Sequence, residues 1–109
     1  MSETLCPLPA KPDFSGVDVL ELQPQPALAD YRQAMQLAQD EAAARLEAPM
    51  LLSWYDRDRD FEAPQHVSEC HRDSATPGYV DYGLNHGASL MIDIEGGRFV
   101  FFYRDAWST

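Results

Sequence analysis

The run YVDYGLNHGASLMIDIEGGRFVFFYR, residues 79–104, decides the fold. Residues 89–95 and 98–104 flank Gly96 and Gly97, and a glycine pair supplies the positive φ angles that a two-residue hairpin turn requires. Pairing across that turn sets Glu95 opposite Arg98, Ile94 opposite Phe99, Ile92 opposite Phe101 and Leu90 opposite Tyr103. One face of the hairpin is then wholly apolar, which pins the register. Upstream, residues 79–84 alternate as a further strand that turns through Asn85, His86 and Gly87, a three-residue loop with glycine at the left-handed position. In that register Tyr82 faces Leu90 and Val80 faces Ile92. The expectation is a C-terminal three-strand antiparallel meander with Val80, Ile92 and Phe101 buried on one side.

What packs on that side lies earlier in the chain. Residues 27–47 contain no glycine or proline, and Leu28, Tyr31, Met35, Ala38, Ala42 and Leu46 recur at steps of three and four. The spacing predicts one amphipathic helix of roughly 30 Å at 1.5 Å per residue. Pro26 suits its first position, and Pro49 forces Ala48 out of the helical region and ends it. On either side, VDVLEL at 17–22 and MLLSWY at 50–55 read as strands. Strand, helix and strand suit a right-handed βαβ crossover, with an antiparallel arrangement also open. Residues 1–16, which include Pro7, Pro9 and Pro12, form an extended lead. The predicted fold is two-layer α+β: one long helix on a mainly antiparallel sheet of about five strands, with residues 17–109 as a single domain.

Composition narrows the function. The 109 residues carry a net charge of −10, and Lys11 is the sole lysine. No basic face is left to neutralise phosphates, so nucleic acid and anionic membranes are unsuitable partners. Nowhere does the chain approach the ~20 apolar residues of a membrane helix, and its start lacks the pattern of an export signal. Cys6 and Cys70 are too few for a disulfide framework, which points to a reducing cytoplasm.

The chemistry gathers in residues 53–87, which hold His66, His71 and His86, Cys70, and a carboxylate ladder of Asp56, Asp58, Asp60 and Glu62. No cofactor is expected, with zinc as the alternative: His66 and Cys70, four apart, share a face if they sit on a helical turn, with His86, His71 or one of Asp56, Asp58 and Asp60 as a distant third ligand. Cys70 beside His71 suggests a thiol nucleophile, although adjacent side chains in an extended segment point apart. The ladder begins like a calcium loop, but Phe61 stands where the turn glycine belongs, so local Asp–Arg ion pairs are the simpler reading. Trp54, Tyr55 and Tyr79, with Arg57, His66 and His86, are the candidate ligand-binding residues. Arg57, Arg59 or Arg72 would hold an anionic group, while the aromatic rings either line a pocket or anchor a loop.

The segments LSWYDRDRDFEAPQHVSECH, PGYVDYGLNHGASL and GRFVFFY, within residues 52–103, resemble the centre of a small family of prokaryotic proteins of unknown function. The resemblance implies a single compact α+β domain and brings no activity with it. The residues themselves favour a non-catalytic cytoplasmic binding or accessory protein, engaging a small ligand or a protein partner. The alternative is a small metalloprotein or thiol enzyme using Cys70 with His66, His71 or His86. The outer face of the meander carries Tyr79, Asp81, Met91, Asp93, Val100 and Phe102 inside a rim of Arg98 and Arg104. An apolar centre within a charged edge suits a two-fold homo-oligomer.

Overall fold

The computed structural model describes residues 14–63 and 78–106. Its elements are β1 (Asp18–Leu22), α1 (Tyr31–Arg45), β2 (Pro49–Asp56), a 3-10 turn (Arg57–Arg59), β3 (Phe61–Ala63), α2 (Gly78–Asn85), β4 (Leu90–Ile94) and β5 (Phe99–Asp105). The strands form one sheet in the order β1-β4-β5-β2-β3. Only β1 with β4 is a parallel pairing, so the fold is α+β with a mixed sheet.

The β4–β5 hairpin has the register its glycines and apolar alternation predict, with Leu90 on Tyr103, Ile92 on Phe101 and Ile94 on Phe99. These six side chains form a core with Ala34, Ala38 and Ala42 of α1. Three alanines a turn apart bring the helix backbone close to the large rings of β5. The helix is 15 residues long, shorter than the apolar spacing suggests. It starts at Asp30 rather than Pro26 because the Asp30 carboxylate accepts from the amides of Arg32 and Gln33 at 3.0 and 3.3 Å, a strong N-cap. It stops when Leu46 turns extended.

Two expectations need correction. β1 pairs with β4 and not with β2, so β4 and β5 stand between the two strands that flank α1. Residues 79–84 belong to helix α2 and not to a third meander strand. Gly87 does take a positive φ of 89°, but it ends a helix: Ala88 N–H donates to Gly83 O at 3.0 Å and Gly87 N–H to Leu84 O at 3.3 Å. That bond pair is a Schellman motif, which needs the same left-handed residue as a hairpin loop.

This changes both faces of the sheet. Val80 packs with Val100 and Phe102, on the side opposite Ile92 and Phe101. Gly83 lies so near that a Cβ there would stand 2.7 Å from Phe102 Cγ. Phe102 is 0% and Val100 3% exposed, and the Phe14 ring stacks on Phe102 at 6.5 Å. The face expected to bury itself against a second copy is therefore covered within one chain. No helix among the described residues is long and apolar enough to cross a membrane.

Candidate functional site

Neighbouring residues on a strand point to opposite faces, and β2 uses this to separate its two aromatics. Trp54 goes to the α1 side, stacked on Phe101 at 5.7 Å and 4° and on Tyr31 at 5.8 Å, with Phe61 tilted against it at 5.3 Å. The Arg59 guanidinium closes this cluster 3.9 Å above the Tyr31 ring. Trp54 is thus an anchor of the core. Tyr55 goes to the α2 side and stacks on Tyr79 with centroids 5.0 Å apart and rings 6° from parallel.

Three elements meet at that stack. Buried Ser53 donates its hydroxyl to Tyr79 O at 2.6 Å, and Tyr79 N–H donates to Glu62 Oε1 at 3.2 Å. The β2–β3 register sets Glu62 opposite Tyr55. The carboxylate therefore satisfies an otherwise orphan amide in the first turn of α2, where the helix dipole also favours negative charge. Asp60 closes the 3-10 turn with a positive φ of 49°. That turn is held from below by Asp56, 1% exposed, which accepts from Asp58 N–H at 3.0 Å and from Arg59 Nε at 2.7 Å.

Between these groups opens a cleft of about 470 Å³, lined among the described residues by Tyr55, Asp60, Glu62, Gly78 and Tyr79. Its electrostatics are acidic. Burial first, then Tyr55, Asp93 and Glu62, pushes the Tyr79 phenol up to about 12. Tyr55 is also raised, by burial first and then the charge of Asp60, with Arg57 opposing.

Of the candidate ligand residues, Tyr55 and Tyr79 come together here, while Trp54 faces the other way. Arg57 is exposed on the 3-10 turn and is absent from the lining, so no anion-holding arginine faces the cleft among the described residues. His86 is exposed at the far end of α2, stacked on Tyr82 at 3.9 Å with Nδ1 2.8 Å from Tyr82 O. His66, Cys70 and His71, and with them most of the zinc and thiol sets, lie outside the described residues. Among those described, no three His, Cys, Asp or Glu side chains are grouped to hold a metal.

The carboxylate ladder divides its tasks. Asp56 and Arg59 make the expected local pair, whereas Asp58 reaches Arg98 at 2.6 Å. Arg98 also holds Glu95 at 2.6 Å and donates to Leu28 O at 2.9 Å. Asp60 and Glu62, which the sequence suggests as part of a ladder of local ion pairs, are the cleft's acidic wall. The alternation of residues 60–62 marks their shared side, but only the helix at Gly78 turns that side into a cleft.

Over residues 17–103 the chain matches the family described as "Domain of unknown function (DUF5619)", extending the resemblance read from residues 52–103. It is similar in fold to AF1514 from Archeoglobus fulgidus DSM 4304, whose crystal structure is described as that of a novel protein. The TM-score is 0.65 at 25% identity, covering 82% of this chain and 94% of that one. No curated protein matches the chain.

Proposed function

The chain belongs to the DUF5619 family, a domain of unknown function, and we propose that it is a small, non-catalytic, cytoplasmic binding protein. Its ligand enters the cleft between the β2–β3 hairpin and the first turn of α2. The observation that carries this reading is the Tyr55–Tyr79 stack opening, beside Asp60 and Glu62, on a space of about 470 Å³. That volume lies in the range of small-molecule sites, and an apolar wall with a few convergent polar groups is their usual make-up.

Holding suits this arrangement better than reacting. Of the two carboxylates in the described lining, Glu62 is engaged by the Tyr79 amide, and a Tyr79 phenol at about 12 is a poor proton acceptor or donor near neutral pH. The test is an amide-shift titration with phenol, benzoate and tetramethylammonium as probes. At least one is expected to move the resonances of Tyr55, Gly78 and Tyr79 selectively. If all three leave those residues unmoved, the cleft is not a ligand site.

A further inference from the structure

We propose that the cleft selects a small organic cation with an alkylated ammonium head, seated on the tyrosine pair between the Asp60 and Glu62 carboxylates; this rests on the reading of the cleft as a ligand site. The sign of the charge is the first argument. Asp60 and Glu62 contribute the only formal charges of the described lining. The whole chain, with 18 acidic and 8 basic residues, adds a negative far field that concentrates cations and repels anions.

Unused acceptors are the second. Glu62 Oε1 takes the Tyr79 amide. Glu62 Oε2 and both Asp60 carboxylate oxygens accept no hydrogen bond and join no ion pair among the described residues. An ammonium group meets that need, and its alkyl groups match the aromatic wall.

The rings are the third. A neutral tyrosine presents the negative face of its quadrupole to a cation within about 6 Å, and the raised phenols of Tyr55 and Tyr79 stay neutral throughout the physiological range. The same molecule already uses this contact elsewhere, with Arg59 3.9 Å above Tyr31. A hard metal ion fits less well, because calcium takes six to eight oxygen ligands and magnesium a near-ideal octahedron.

The experiment compares choline with 3,3-dimethyl-1-butanol, which has the same shape with carbon in place of the charged nitrogen, by amide-shift titration, with benzoate as the anionic control. Choline is expected to bind at least about tenfold more tightly than the butanol, the scale of a partly desolvated cation–π contact with a nearby carboxylate. In the Asp60→Asn/Glu62→Gln protein that preference should shrink to less than about threefold. The side-chain amide at 62 keeps an acceptor for Tyr79 N–H, and asparagine tolerates a positive φ at 60, so the fold should persist; a circular dichroism melt checks that. Tyr55→Leu, the second variant, should weaken choline more than the butanol. Equal affinities for choline and the butanol, or tighter binding of benzoate, would overturn the cation inference while leaving the cleft a ligand site. No selective shift at Tyr55 and Tyr79 with any of the three would remove both.

Discussion

Arg98 Nη2 lies 2.6 Å from Asp58 Oδ2, a contact between residues 40 apart in the chain that ties the β4–β5 turn to the 3-10 turn after β2. Through Nη1 the same guanidinium reaches Glu95 and the Leu28 carbonyl, while Leu28 N–H donates to Glu95 Oε2 at 2.8 Å. The approach to α1, the hairpin tip and the end of β2 therefore share one cation. Both carboxylates are held below their ordinary range, Asp58 chiefly by the Arg98 hydrogen bond and Glu95 chiefly by the Leu28 amide and then Arg98.

A prediction about acid follows from those two depressed carboxyls. The unfolded chain takes up protons there that the folded chain refuses, so this contribution is present above the ordinary carboxylate range and is lost as pH falls below about 4. In the Asp58→Asn/Glu95→Gln protein, the melting midpoint should fall less between about pH 5 and pH 3 than in the parent. Parallel melting curves for the two proteins would refute the linkage. Arg98→Met, which unties all three segments, should lower the midpoint at neutral pH by more than Asp58→Asn alone.

The two neighbouring phenylalanines of β5 belong to different cores, and each makes its own prediction. Phe101, fully buried beneath α1, should cost about 3–5 kcal/mol on truncation to alanine, read by urea denaturation. A loss below about 1 kcal/mol is too small for a large buried ring. Phe102→Glu would set a carboxylate beneath Val80 and Gly83, and the expected result is loss of the cooperative unfolding transition. A folded, soluble variant would mean that this face lies open.

Gly83 is the point of closest approach between α2 and the sheet. An added methyl meets Phe102 Cγ at 2.7 Å and Cβ at 2.8 Å, and the nearer ring edge belongs to a side chain already enclosed. Gly83→Ala should therefore destabilise the protein by about 1–3 kcal/mol, although alanine is the better helix former. A gain in stability would show that α2 rides higher than described.

Alkali provides the opposite pH limit. Burial pushes Tyr79 and Tyr103 up to about 12, while an unfolded tyrosine ionises near 10. Their contribution is complete below about pH 10 and is lost as pH rises from there towards 12. Tyrosinate absorbance should accordingly rise in two stages, with the last phenols ionising together with the loss of the circular dichroism signal. A single smooth titration of all tyrosines below the unfolding pH would contradict their burial.

The hairpin was legible because two independent signals agree there: Gly96–Gly97 demands a turn, and Leu90, Ile92, Ile94, Phe99, Phe101 and Tyr103 fall on one side only in the register seen. Residues 79–84 satisfy two periods at once. Val80, Tyr82 and Leu84 alternate as in a strand, whereas Tyr79, Val80, Gly83 and Leu84 form a helical stripe, and a segment this short does not arbitrate. Gly87 adds no vote, since a hairpin loop and a helix C-cap ask it for the same φ. What decides is tertiary: Val100 and Phe102 need a cover, and a helix with glycine facing them provides one. The cleft depended on that decision. Tyr55 and Tyr79 were recognisable as aromatics of one region, and the β2–β3 register sets Glu62 beside Tyr55, but Tyr79 joins them only because residues 78–85 form a helix.

The parallel seat of β1 also sets an order of assembly as the chain leaves the ribosome. Among the described residues β1 precedes the other elements and has β4 as its strand neighbour, so until Leu90 onward has been made the main-chain groups it shares with β4 lack that partner. Leu20 and Leu22, which pack on the α1 core in the finished fold, wait with them. Until β4 is made, therefore, Leu20 and Leu22 have neither their strand neighbour nor the finished core to pack on.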